Sequence, residues 1–251
     1  MHASTPDSSP AGAAASAGDQ LGYGARFIHE NLLRIVLVFA GLLLPLLIFA
    51  SLVEDLSEKK AFFFDAPIML GLHHLASPTV DGFFVVVSRV GYQWGVLPVD
   101  AGILLWLILR RSFRDGLFFG LAVIGSLGLN LAAKFHFARA RPDLWQSLAP
   151  ETTFSFPSGH AMGSVTLGVA LTLLMWNTRW RWLTFVLAAT FVLMVGMSRV
   201  YLGVHYPSDI LAGWAAGTAW VVAMYQLVVS RAPPPPEREA APPAQDQLPK
   251  A

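Results

Sequence analysis

The stretch Ile35–Val53, IVLVFAGLLLPLLIFASLV, runs 19 residues without a charged side chain. A helix crossing the hydrocarbon core of a bilayer needs about 20 mainly apolar residues. The stretch therefore reads as a membrane span, and composition agrees. Of 251 residues 55% are hydrophobic and 13% charged, with a mean hydropathy of +0.54, whereas soluble domains carry about 25% charged residues. Working outward, comparable apolar runs lie near 93–109, 115–133, 160–176, 182–197 and 210–230. The expectation is an all-α polytopic membrane protein, a six-transmembrane-helix bundle.

Residues 1–31 are rich in Ala, Ser, Gly and Pro and lack the apolar core of a signal peptide. The other end, RAPPPPEREAAPPAQDQLPKA (Arg231–Ala251), is polar and proline-rich. Both read as disordered tails flanking a membrane domain at 32–230, and the second as a plain tail before a PxxP ligand. A net charge of +1 gives no reason to expect nucleic acid as a partner, and the absence of cysteine excludes disulfides, thiolate metal ligands and a cysteine nucleophile.

Basic residues are retained on the cytoplasmic side of membranes. Arg26 and Arg34 precede the first span, Arg110, Arg111 and Arg114 separate the second and third, Arg179 and Arg181 the fourth and fifth, and Arg231 and Arg238 follow the sixth. All fall on one side, so both termini are expected in the cytoplasm. The opposite side receives 54–92, 134–159 and 198–209. Within the first of these, Phe64, Ile68, Leu72 and Leu75 have the spacing of a helix lying in the interface, or of a linker with one apolar face. His73 and His74 are adjacent, point to different sides of a helix and make a poor metal pair. Asp100, near the start of the second span, reads as an interfacial acid or one paired with a neighbouring helix. GWAAG, Gly213–Gly217, places small residues four apart for close helix packing.

Three motifs share the outer side. KFHFARARP (Lys134–Pro142) is dense in cations where surplus positive charge is disfavoured, so an anion to bind is a better explanation than membrane anchoring. PSGH (Pro157–His160) opens a helix: Ser158 is a natural N-cap, and the amides near Gly159 and His160 are left unpaired to seat a phosphate. Glycine lets a ligand approach the backbone. In SRVYLGVHYPSD (Ser198–Asp209), Arg199 adds a cation, and His205 and Asp209 stand four apart. If Asp209 holds Nδ1–H, Nε2 of His205 keeps its lone pair for attack; a structural His–Asp pair is the alternative. Cations, amide donors and two histidines together suit phosphoryl transfer, whose transition state spreads charge over equatorial oxygens.

KFHFARARP (K-x6-R-P), PSGH and SRVYLGVHYPSD (S-R-x5-H-x3-D) resemble, in order and spacing over about 110–230, the three signature motifs of the type 2 phosphatidic-acid phosphatase superfamily, which includes lipid phosphate phosphatases and vanadium-dependent haloperoxidases. The resemblance implies His205 as the nucleophile forming a phosphohistidine, Asp209 as its orienting partner and His160 as general acid. It implies Lys134, Arg141, Ser158, Gly159 and Arg199 as the phosphate seat, with no metal or other cofactor. His136 and Arg139, at open positions of the first motif, read as lining or surface residues. The expected activity is hydrolysis of a lipid phosphate or diphosphate, such as undecaprenyl diphosphate, phosphatidylglycerol phosphate or phosphatidic acid, at the outer face of a bacterial-type inner membrane. The alternatives are a lipid phosphotransferase using the same histidine and a non-enzymatic lipid-phosphate binder or transporter. Membrane lipids are the only other partners expected.

Overall fold

The computed structural model describes residues 38–229 together with Leu32, Ile35 and Val36. The expected tails and the flanking cations Arg26, Arg34, Arg231 and Arg238 lie outside the described residues. Within them the helices are α1 (Phe39–Ser57, its first turn π-helical), α2 (Asp65–His73), α3 (Pro78–Val90), α4 (Val96–Leu109), α5 (Phe113–Phe137), α6 (Gly159–Leu174), α7 (Arg181–Tyr201) and α8 (Pro207–Val228). Every expected span falls on a helix. Four of them, α1, α5, α7 and α8, are long and apolar enough to cross a bilayer. The other two, α4 and α6, have 14 and 16 residues, which is only about 21–24 Å of helix at 1.5 Å per residue.

The helix α6 is central. Its buried positions run almost without a break from Ala161 to Ala170, so it is covered by its neighbours and turns no polar face outward. It packs against α4, α5, α7 and α8. The α8 contact is especially close: a Cβ on Gly213 would lie 2.8 Å from the Ser158 carbonyl oxygen, and one on Gly217 would lie 2.6 Å from Val165 Cγ1. GWAAG thus serves packing within the chain. Ser126 Oγ of α5 and Thr166 Oγ1 of α6 share a hydrogen bond of 2.8 Å, a polar tie inside the bundle. Phe118, Phe119, Ala122, Leu167, Ala170 and Val221 fill the core around it.

Connectivity places the ends. The C-termini of α5 and α7 and the N-termini of α6 and α8 meet at one end, closed by the coil 138–158. Arg114 Nε donates to the Val228 carbonyl at the other end (3.1 Å), where Arg110, Arg179 and Arg181 lie against Trp106, Trp180 and Trp182. Arginine over tryptophan suits a membrane interface.

The segment 54–92 is largely helical beyond the end of α1. It forms two helices, α2 and α3, and the face α2 buries carries Asp65 and Met69 while Ile68 and Leu75 stay exposed. The reason is docking. Met69 packs on Ala161, Val200 and Ile210, and Asp65 accepts hydrogen bonds from the backbone and side chain of Ser208 (2.9 and 2.6 Å). His73 stacks on Trp145 with ring centroids 4.1 Å apart. Tyr201 donates to Asp81. Asp100 is buried rather than interfacial, its Oδ1 has no partner among the described residues, and it lines a small pocket with Tyr92, Asn130 and Thr166.

Candidate active site

His205 lies in the short link between α7 and α8 and is fully buried. Its Nε2 is 3.1 Å from Arg141 Nη1. A guanidinium can only donate, so Nε2 accepts and the proton belongs on Nδ1. Nδ1 faces Asp209 Oδ2 at 3.4 Å and Ser155 Oγ at 3.3 Å. Burial, more than the opposing carboxylate, sets the proton affinity: His205 is pushed down to about 4, so its imidazole is neutral at pH 7.

Asp209 is held from several sides. Oδ2 accepts from the Tyr206 amide (3.0 Å), which caps α8, and from the Ser155 hydroxyl. Oδ1 accepts from Arg139 Nη1 (2.5 Å). Arg139 was expected as a lining or surface residue, and the structure corrects this. It is mostly buried, bonds Asp209, Ser208 and Asp65 at once, and lies over the Tyr206 ring at 4.1 Å. His136 remains exposed. The turn that aims Arg139 and Arg141 inward begins at Ala138, which ends α5 in the left-handed conformation (φ 46°) with its amide on the Lys134 carbonyl. Glycine is the usual residue there.

Three cations converge. Arg141 reaches the Thr153 and Val204 carbonyls (2.6 and 2.7 Å) as well as His205. Lys134 donates to the Phe154 carbonyl (2.6 Å) and Thr153 Oγ1 (3.2 Å). Arg199, 1% exposed, donates to Ser88 and Glu151, and its Nε is buried with no partner among the described residues. Ser158 caps α6, its side chain accepting from the Ala161 amide. Its own amide donates to the Asp209 carbonyl (3.1 Å), tying the second motif to the third. Asn130 Nδ2 holds the Pro157 carbonyl (3.2 Å), and a Cβ on Gly159 would come 3.1 Å from Asn130 Oδ1. His160 follows at the rim, its ring 4.9 Å from that of Tyr92 and its Nδ1 3.7 Å from Glu151 Oε1.

The eight residues named from sequence thus come together at the end of the bundle where α6 and α8 begin. Sequence reasoning missed Glu151, Ser155 and Asp65, which hold them. Glu151 offered a signal, since it and Asp143 are the only acids between Lys134 and Gly159. Ser155 and Asp65 stand in no motif.

Fold and site together define a class: a helical membrane protein in which a buried histidine stands among three cations. The chain belongs to the PAP2 superfamily, whose family model matches residues 115–233. It is 30% identical over 197 residues to an undecaprenyl-diphosphatase of Sulfolobus acidocaldarius, covering 76% of this chain and 91% of that protein. It is 28% identical to phosphatidylglycerophosphatase B of Bacillus subtilis, over 70% of this chain and 88% of that one. Its fold matches the crystal structure of a transmembrane PAP2-type phosphatidylglycerolphosphate phosphatase from Bacillus subtilis with a TM-score of 0.64 at 25% identity, covering 73% of this chain and 94% of that chain.

Proposed function

We propose that this chain is a lipid phosphatase that removes a phosphate from a lipid phosphate or diphosphate through a phosphohistidine on His205, without a metal. The observation that carries the reading is the tautomer of His205: Nε2 accepts from Arg141 and so holds a lone pair toward the cations. The named relatives act on undecaprenyl diphosphate and phosphatidylglycerophosphate, which supports a lipid substrate here.

Nε2 attacks phosphorus in line as the bond to the lipid oxygen breaks, and Arg141, Arg199, Lys134 and the first amides of α6 stabilise the equatorial oxygens. His160 donates a proton to the departing oxygen; the charge of the arriving phosphate favours its protonated form. Water then attacks the phosphohistidine, giving up a proton to His160, and phosphate leaves. Arg139 and Asp65 do not touch the phosphate. They position Asp209.

An apolar cavity of about 690 Å³ between α1, α5 and α8 is lined by Leu46, Phe49, Leu129, Phe137 and Trp220, and reaches Pro157 and Met162 beside the second motif. It offers acyl or prenyl chains a lateral approach from the bilayer. Arg110, Arg111, Arg114, Arg179 and Arg181, which separate spans at the opposite end, favour that end as cytoplasmic and the site as facing outward, in a bacterial-type inner membrane. Residues 32–230 then form the membrane phosphatase domain.

The test is phosphate release by detergent-purified protein from polyprenyl diphosphates, phosphatidic acid and phosphatidylglycerol phosphate, with excess EDTA, beside a folded His205→Ala variant. EDTA-resistant release that vanishes in the variant is expected. Release that depends on added metal, or that survives in His205→Ala, would overturn the mechanism.

A further inference from the structure

Below the second motif, α5 buries a polar stripe. Ser126, Asn130 and Lys134 stand four residues apart and are all turned inward, so each lies about one turn from the last and the stripe runs from the bundle interior to PSGH. Asn130 Nδ2 is committed to the Pro157 carbonyl (3.2 Å) and lies 3.6 Å from Met162 Sδ, while its Oδ1 lies against Gly159. Facing the stripe from α6, Thr166 Oγ1 shares a hydrogen bond with Ser126 Oγ. Asp100 closes the third side from α4. Together with Tyr92 and Gly159 these residues line a cavity of about 40 Å³. Asp100 is 7% exposed, and its Oδ1 has no partner among the described residues.

The chemistry of this lining is one-sided. The Asp100 carboxylate and Asn130 Oδ1 only accept, and the Ser126–Thr166 bond uses one of the two hydroxyl protons. Among the described residues no lysine, arginine or histidine lines the cavity; Lys134, one turn further along α5, turns its ammonium to Thr153 and Phe154 instead. A carboxylate out of water with neither a cation nor a full set of donors is costly, and a small cavity walled by oxygen acceptors suits a hard cation. One carboxylate balances one charge, and among the described residues no three His, Asp or Glu come together as a divalent or transition metal requires. The ion that fits is therefore singly charged. The cavity has the size of a water or two, which excludes an organic ammonium and favours sodium over the larger potassium.

We propose that Asp100, Ser126, Asn130 and Thr166 form a sodium site inside the bundle. The ion neutralises Asp100, ties α4 to α5 and α6, and fixes Asn130, whose amide holds the Pro157 carbonyl at the head of PSGH. It braces that turn from below and takes no part in phosphoryl transfer, and EDTA binds alkali ions too weakly to remove it. The site does not depend on what the pocket above it hydrolyses.

The test is the thermal-unfolding midpoint of the full-length protein in detergent, without lipid or phosphate, as sodium chloride replaces choline chloride at constant ionic strength. In the wild-type protein the midpoint is expected to climb by about 3–5 °C for each tenfold rise in sodium beyond half-saturation, and by less in potassium. Asp100→Asn keeps the shape and removes the charge, and the sodium increment is expected to vanish in it. Thr166→Val removes one oxygen, and the sodium needed for half the increment is expected to rise severalfold. A wild-type midpoint that is the same in sodium and choline overturns the proposal without recourse to a variant, and leaves Asp100 satisfied by a proton or a water. An increment that survives in folded Asp100→Asn overturns it too, by placing the ion elsewhere, and an equal increment in potassium overturns the choice of sodium.

Discussion

His205 and His160 each have a carboxylate facing Nδ1, yet the two carboxylates are held differently. Beside His205, in the link between α7 and α8, Asp209 is fully buried and bonded by Arg139, the Tyr206 amide and Ser155. Beside His160, at the rim where α6 begins, Glu151 stands on a coil, 3.7 Å away and shared with two arginines. The first arrangement fixes one tautomer and one ring orientation. The second leaves the ring free to exchange its neighbour when a ligand arrives. On the proposed mechanism His205, as nucleophile, must be aimed before the substrate binds, whereas His160, as proton donor, need only meet the leaving oxygen afterwards.

The largest effect expected breaks this pairing of roles. His205→Ala should lower phosphate release by about four orders of magnitude or more on every substrate, because no covalent intermediate forms. His160→Ala should cost about 10²–10⁴-fold on lipid phosphates, whose alcohol leaving groups need a proton. On p-nitrophenyl phosphate, whose leaving group needs none, most of that loss should disappear. Equal loss of both substrates in His160→Ala would remove the general-acid role.

Next comes the support beneath Asp209. Arg139→Gln removes a guanidinium that bridges Asp209, Ser208 and Asp65. Misplacing a reacting group by about 1 Å can cost about a hundredfold, so kcat should fall by about ten- to a hundredfold. KM should change little, since Arg139 does not reach the phosphate seat. Asp65→Asn, one step further out, should fall less. A KM effect as large as the kcat effect would instead make Arg139 part of the seat.

These residues also mark how far the sequence could be read. Apolar runs located the helices because a bilayer span leaves a pattern in every residue of it, and three motifs named Lys134, Arg141, Ser158, Gly159, His160, Arg199, His205 and Asp209 because each packs its chemistry within a few positions. Asp65 could not be read that way. It lies 143 positions from Ser208, on a helix whose docked face is chosen by one buried acid and one methionine. Arg139 was visible but misassigned: its direction depends on the left-handed turn at Ala138, and alanine gives no sign of such a turn. Hydropathy located α4 and α6 as apolar helices but gave no sign that both are shorter than the four long enough to cross a bilayer.

The pH dependence sharpens the comparison further. His205 is pushed down to about 4, chiefly by burial and partly by the nearby Arg141 and Arg199, against the pull of Asp209. Above that value Nε2 is free to attack; as pH falls through it, protonation removes the lone pair and activity with it. The acid limb of kcat/KM should therefore lie well below the ordinary imidazole value of about 6.5, while loss of the His160 proton in the complex sets the alkaline limb of kcat. An acid limb centred between about pH 6 and 7 would mean that His205 titrates as an open histidine, contrary to its burial.

The smallest effect expected lies outside both histidines, in the apolar cavity. Ala216 and Ala219 of α8 face it, and replacing either with phenylalanine fills space without touching a charged group. If lipid chains lie there, Ala219→Phe should raise KM severalfold for long-chain phosphates and leave kcat and the hydrolysis of p-nitrophenyl phosphate unchanged, because only the chain loses contact area. Short-chain phosphatidic acid should fall between the two. A loss that is the same for all three substrates would place the defect in the packing of α8 on α6, where Gly217 already brings the helices close, and would send the chains to another face of the bundle.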